Sequence, residues 1–330
     1  MTETPKIAVI GAGIAGLSCA TQLQQAGMRV TVFEKSRGPG GRMGTRRGDD
    51  WLCDQGAQYF VARDADFRAE LARWQAAGVA ARWEPRLVVL GGEAQDFLEP
   101  QIERFVGVPR MTAPARFLAE KLPLTVQATV QHLQKGSDGW RLSTAEQGEL
   151  ETDFAAVLLA IPAPQAVPLL ESPAPVLATL AECALMRGCW ALMLCYDQRL
   201  ELPFDAAFVK QGPLRWVARD NSKPGRGSQE TWLLQANADW SEAHLDDSPD
   251  VVASIMLRAF AEIGAPPPQT WTAHRWRYGF SEPVFDQLFA WEPQRGLGLC
   301  GDWLSSGKIE GAWLSGRALA LQVIASLGQS

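Results

Sequence analysis

The stretch from Lys6 to Phe33 constrains this chain more than any other. It reads as a β-branched run ending in glycines, a helical pattern, and a second apolar run. KIAVI, Lys6 to Ile10, predicts a strand, Ile14 to Gln25 a helix, and Arg29 to Phe33 another strand. That order is a βαβ unit, with parallel strands and a right-handed crossover. Between the first strand and the helix lies Gly11-Ala-Gly13-Ile-Ala-Gly16. Gly11 permits a tight turn, Gly13 lets the backbone approach a pyrophosphate, and Gly16 lets helix and strand pack closely. The helix N-terminus offers free N–H groups and partial positive charge to phosphates. Glu34, ending the second strand, stands where an acid accepts hydrogen bonds from adenosine ribose hydroxyls. By itself this loop suits FAD and NAD equally.

Three further features select FAD. Ser36-Arg37-Gly38-Pro39-Gly40-Gly41-Arg42-Met43 is a second glycine-rich loop, giving backbone access to the same pyrophosphate, with Arg42 adding charge. Asp54-Gln-Gly56-Ala-Gln58-Tyr59-Phe60 places an amide and two aromatics where a flavin ring can lie. Cys300-Gly301-Asp302 ends a strand and Lys308-Ile309-Glu310-Gly311 opens the final helix. The acid would sit near a ribityl hydroxyl, and the helix dipole would stabilise negative charge on the flavin pyrimidine.

The rest of the chain reads as a mixed α/β protein. A helix is expected over Asp66 to Ala77 and short strands at Leu87 to Leu90 and near Phe97. A helix follows at Ala113 to Lys121, then strands at Thr125 to Leu133, Gly139 to Ser143 and Ala155 to Ile161. Pro162, Pro164, Pro168, Pro173 and Pro175 mark a boundary. Beyond it come strands at Cys189 to Cys195, Ala207 to Lys210, Trp216 to Ala218 and Thr231 to Ala236, with a helix at Pro249 to Ile263. Rossmann-like patterning returns at Leu297 to Cys300, followed by a helix from Ile309 to Leu327. The expected organisation is discontinuous. Residues 1–65, 108–162 and 295–330 build a FAD-binding domain, and 66–107 and 163–294 a mostly antiparallel substrate domain.

A formal charge of −6 argues against nucleic acid or an anionic membrane as partner. No apolar run approaches the roughly 20 residues that span a bilayer. No signal peptide is visible, and the six cysteines are scattered without a CxxC pair, so a reducing cytoplasm and buried thiols are expected. The three histidines, His132, His244 and His274, fall in no triad or metal spacing, so no metal is expected.

The motifs resemble the flavin-dependent amine oxidase superfamily. Its signs are the first glycine loop, GGRM at Gly40 to Met43, GAQYF at Gly56 to Phe60, and GDW with EGAWLSG between Gly301 and Gly316. RWVARDNSKPGR (Arg215 to Arg226), AHRWRYGF (Ala273 to Phe280) and PRMTAPARFLAEKL (Pro109 to Leu122) resemble the renalase-like group within it, closest to the bacterial branch. The resemblance implies a glutathione-reductase-type fold with non-covalent FAD. It implies that Ala15, Glu34, Lys35, Arg42, Gln58, Tyr59, Val130, Asp302 and Ile309 touch the cofactor, Val130 and Ile309 through their backbones.

By the same resemblance, the chain departs from true amine oxidases at two points. Where those enzymes carry a cage tyrosine before the last helix, this chain has Lys308, and it has no lysine from Arg187 to Val209. A cation at the first position repels an ammonium substrate. The renalase-like group implies instead oxidation of dihydronicotinamide isomers, NAD(P)H forms reduced at ring C2 or C6, to NAD(P)⁺, with dioxygen reduced to hydrogen peroxide. No base is needed, because hydride departure leaves an aromatic pyridinium. Tyr59 with Trp276 or Tyr278 would flank the ring, and Lys308, Arg275 and Arg277 would meet phosphates or amide. Arg104 and Phe105 are further pocket candidates. An amine or polyamine oxidase and a non-catalytic flavin-holding protein are the alternatives.

Overall fold

In the computed structural model, which describes residues 4–92, 102–282, 285–305 and 307–328, the Lys6–Ile10 strand lies inside a six-stranded sheet. The order across that sheet is Phe289–Glu292, Leu297–Cys300, Ala156–Leu159, Lys6–Ile10, Arg29–Glu34 and Leu124–Val126. All neighbours are parallel except the first pair. Ala156–Leu159 and Leu297–Cys300 are buried at every residue, because helices or strands cover both faces.

The period-two alternation sorts the two cores. Ile7, Val9, Ala156 and Leu158 pack with the first helix, Ile14–Gln25, and the last, Ile309–Leu327. Ala8, Ile10, Val157 and Leu159 pack with Trp140, Leu142 and Leu170 on the opposite face. There a meander of Val130–Lys135, Trp140–Thr144 and Gly148–Glu149 joins two short helices, Ala163–Leu170 and Pro175–Glu182. First and last helices meet without room for a side chain. A Cβ on Gly316 would lie 1.9 Å from the Ala15 carbonyl oxygen, and one on Gly16 2.0 Å from that of Gly11.

A second six-stranded sheet runs Thr270–Ser281, Met186–Tyr196, Glu230–Ala236, Leu214–Arg219, Ala206–Val209 and Leu87–Leu90. It is antiparallel apart from its last pair. One face, with Trp190, Leu192, Leu194, Trp232 and Leu234, packs on Val252, Met256 and Phe260 of the helix Pro249–Glu262. That helix is capped by Ser248, whose hydroxyl accepts from the Val251 N–H. The other face carries Ala191, Met193, Leu233 and Trp276 and packs on Trp51 and Cys53. Those last two belong to the chain around the hairpin Thr45–Arg47 and Leu52–Asp54, which follows the second glycine loop.

Several local expectations change. Thr125 to Leu133 is two strands broken at Gln127, whose φ of +52° cannot continue a sheet. The proline-rich boundary holds two helices, because Pro164 and Pro175 occupy first-turn positions where no N–H is needed. Cys183 is exposed, while the other five cysteines are buried. The strand expected near Phe97 lies outside the described residues. Among the described residues, no helix is long and apolar enough to cross a membrane.

Candidate active site

A cleft of about 2030 Å³ opens where the parallel strands end, along the segments that follow Ile10, Glu34, Leu159 and Cys300. Ligands of open α/β sheets bind at this edge. Gly11, Gly13, Ala15, Glu34, Lys35, Gly41, Arg42, Gln58, Tyr59, Val130, Asp302 and Ile309 all line it. Gly16 lies beneath, packed on the Gly11 carbonyl and the Ala160 side chain. Gly11 has φ +105°, and a Cβ there would lie 2.6 Å from the Ala160 carbonyl oxygen. Its N–H donates to the Phe33 carbonyl at 2.7 Å, and the Gly40 N–H donates to Ala12 at 2.9 Å, which ties the second loop to the first.

Gly13 is different. It caps the first helix with no side-chain acceptor, and a Cβ built on it would meet nothing within 4 Å. The protein thus leaves open space directly before a row of first-turn N–H groups, which fits a pyrophosphate. The Glu34 carboxylate is buried and accepts from the Ala12 and Ser36 N–H groups at 2.8 Å each. The Lys35 ammonium donates to the Gln165 side chain at 3.2 Å.

At the other end, two expected cofactor residues pair with each other. Arg42 and Asp302 form a two-pronged ion pair with each other, and the Ser281 hydroxyl donates to Asp302 at 2.9 Å. Arg42 is expected at the pyrophosphate and Asp302 at a ribityl hydroxyl; both line the cleft while holding each other in place. Gln58 borders the cleft, but its amide points down: Nε2 donates to the Asp54 and Gly56 carbonyls, and Oε1 accepts from Lys223 at 3.2 Å. Lys308 is the exposed N-cap of the last helix. Glu310 accepts from the Arg63 and Asp64 N–H groups at 2.6 and 2.8 Å, fixing the helix start against the chain after Phe60.

Aromatic side chains line the cleft from two directions. His274, Trp276 and Tyr278 come from the long strand Thr270–Ser281, with His274 and Trp276 edge-to-face at 4.4 Å. The Trp276 indole N–H donates to the Gln55 carbonyl at 2.9 Å. Tyr59 comes from the segment after the hairpin, packed on Trp216 at 5.6 Å with Arg104 over its ring at 5.4 Å. Burial, aided by Arg46, holds the His274 imidazole below its ordinary pKa, so it is neutral near neutral pH.

Of the other pocket candidates, two arginines line the cleft with their guanidinium groups already engaged, and one aromatic is displaced. The Arg275 guanidinium donates to the Leu245 carbonyl at 2.6 Å and lies over Trp190 at 5.6 Å. Arg277, 3.9 Å from Asp246, alternates with Trp276 and Tyr278 in the same way, and both arginines still line the cleft. Phe105 is buried in the core against Phe60 and does not line the cleft; Arg104 does.

Sequence reasoning missed a buried ionic network under Gln58. Lys223, fully enclosed, donates to Asp54 at 3.2 Å and Asp220 at 2.6 Å, and Arg226 also pairs with Asp54. Burial works to raise the Asp54 pKa, but Lys223 and Arg226, with hydrogen bonds from Thr45 and Met111, bring it down to about 2. Asp220 goes the other way, raised by burial and by Asp54. Within RWVARDNSKPGR only the unusual mix of opposite charges around Asp220 could have signalled this.

Charge sets the cleft apart from the rest of the molecule. Among the described residues, thirteen Lys or Arg line it against three acids, Glu34, Asp302 and Glu310, in a chain whose net charge is −6. A parallel sheet, a glycine loop at its carboxyl edge and a basic cleft define a dinucleotide-binding α/β protein. Residues 9–73 match the model of the NAD(P)-binding Rossmann-like domain. Residues 95–324 match that of the flavin containing amine oxidoreductases, and the chain belongs to this family; its cofactor is FAD.

Two solved structures illustrate the shared fold. Cyclohexylamine oxidase from Brevibacterium oxydans IH-35A aligns with a TM-score of 0.74 at 13% identity, covering 98% of this chain and all of that one. Wild-type putrescine oxidase bound to putrescine aligns with a TM-score of 0.69 at 12% identity, covering 98% and 99%. A 4,4'-diapophytoene desaturase of Staphylococcus aureus (strain Newman) is 47% identical over 59 residues. That match spans 18% of this chain and only 12% of the desaturase.

Proposed function

We propose that this protein oxidises dihydronicotinamide dinucleotides reduced at ring carbon 2 or 6, as a renalase-like member of its family. The observation that carries the reading is the excess of cations lining the cleft, which favours a ligand bearing several phosphates and disfavours an ammonium. Bound FAD would supply the hydride acceptor and return the electrons to dioxygen as hydrogen peroxide. The chain's own task is to hold a planar ring. Tyr59, Trp276 and Tyr278 offer faces for stacking, and Lys308 at the helix start faces the solvent side. No base is required, and His274, the one histidine lining the cleft, is neutral. A reducing cytoplasm suits this reading, since all six cysteines are free thiols.

Amine oxidation is the second reading, favoured by the fold shared with putrescine and cyclohexylamine oxidases. One anaerobic stopped-flow panel separates the two. The 2- and 6-dihydro forms of NAD(P) are expected to bleach the flavin at least about a hundredfold faster than benzylamine or spermine, near 2.7 kcal/mol of barrier. Fast bleaching by an amine with none by either dihydro isomer would reverse the assignment.

A further inference from the structure

Of the cations lining the cleft, three belong to the hairpin and the helix that follow and flank the second glycine loop. Arg47 ends the strand Thr45–Arg47, and Arg110 precedes the helix Ala113–Ala119, which carries Arg116. Asp54, paired with Thr45 across the hairpin, accepts the Met111 N–H at 3.0 Å, which holds Arg110 beside the hairpin. Arg116 approaches the second glycine loop, its Nη2 3.7 Å from where a Gly38 Cβ would be. The loop also abuts the start of that helix, since a Cβ on Gly40 would lie 3.0 Å from the Thr112 methyl.

None of these arginines forms an ion pair or side-chain hydrogen bond with a described residue, whereas Arg42, Arg86, Arg141 and Arg187 all have carboxylate partners. Their mutual repulsion is felt: burial first, then Arg116 and Arg47, hold the Arg110 guanidinium below its ordinary value. Three like charges beside one another without a carboxylate partner favour an anion, and guanidinium forks match phosphate oxygens.

We infer that Arg47, Arg110 and Arg116 form a phosphate-binding subsite for a second ligand, separate from the place of the FAD pyrophosphate at Gly13. Resting on the proposed function, that ligand is the dinucleotide substrate, and its pyrophosphate docks here while its nicotinamide reaches the aromatic walls. The Gly40 N–H donates to Ala12, which joins the second glycine loop to the first at the start of the first helix. Arg47 and Arg110 instead follow the hairpin anchored through Asp54.

The test uses the FAD-loaded protein and the variants Arg110→Gln and Arg47→Gln/Arg116→Gln. Inorganic pyrophosphate, titrated calorimetrically, is expected to bind wild-type holoprotein, weaken with added salt, and bind each variant at least about tenfold less tightly. FAD content should stay at the wild-type ratio. Steady-state KM for 2-dihydro-NAD should rise at least tenfold relative to KM for the phosphate-free 2-dihydronicotinamide riboside. Loss of FAD in step with the lost arginines would assign them to the cofactor, and equal pyrophosphate binding by all forms would overturn the subsite. If no dihydro isomer bleaches the flavin, the proposed reaction fails, yet the pyrophosphate and FAD-content arms still decide whether the subsite exists.

Discussion

Gly13→Ala is expected to weaken FAD binding at least about tenfold, near 1.4 kcal/mol, while leaving the apoprotein's melting temperature within about 1 °C. The residue's φ of −74° and ψ of 176° suit alanine, and its Cβ would meet no protein atom within 4 Å. The new methyl therefore occupies only the space reserved for the cofactor. Gly16→Ala should behave in the opposite way. Helix propensity alone would favour the alanine by about 1 kcal/mol. Its Cβ, however, would stand 2.0 Å from the Gly11 carbonyl oxygen, and overpacking of this kind costs about 1–3 kcal/mol or more. The expected net result is an apoprotein that melts earlier, with FAD binding lost as a consequence. Thermal melts of apoprotein alongside FAD titrations separate the two. Wild-type FAD affinity in Gly13→Ala would mean that the pyrophosphate lies elsewhere.

Lys223→Met should cost about 3–5 kcal/mol, because it leaves the buried carboxylates of Asp54 and Asp220 with Arg226 as their shared partner. A melting-temperature fall of roughly 5–10 °C is expected. Adding Asp220→Asn should recover part of the loss, since that change restores charge balance. Failure of the double variant to improve on the single one would show that the contact of the Lys223 ammonium with the Trp83 ring, and not its ion pairs, is what Lys223 provides. The pH dependence has a definite sign. The depressed Asp54 pKa stabilises the fold above the unfolded value, roughly pH 4, and that contribution is lost as pH falls toward 2. Because Lys223 also donates to Gln58, which borders the cleft, the single variant should weaken FAD binding as well.

Much of the first sheet was legible because its signals are local. The helix Ile14–Gln25 and the strand Lys6–Ile10 appear with the expected bounds, since a glycine turn, periodicity and chain reversal all occur within neighbouring residues. The long strand Thr270–Ser281 was harder. Its facing pattern depends on pairing with Met186–Tyr196, including a bulge between Arg187 and Cys189, and only that register sets the Trp276 indole on Gln55 and the Arg275 guanidinium over Trp190. Prolines also misled, because Pro175 reads as a breaker in sequence but sits at a helix N-terminus in space.

By itself, then, the sequence determined the βαβ unit, the glycine loop and the cofactor class, because turn chemistry and periodicity act over a few residues. Tertiary structure decided what the charged side chains do. Arg42 turns to Asp302 across 260 positions, Gln58 and Asp54 bind down to Lys223, and Arg47, Arg110 and Arg116 line the cleft with no carboxylate partner among the described residues. Charge pairing is set by distance in space, which falls off within about 10 Å, and not by separation along the chain.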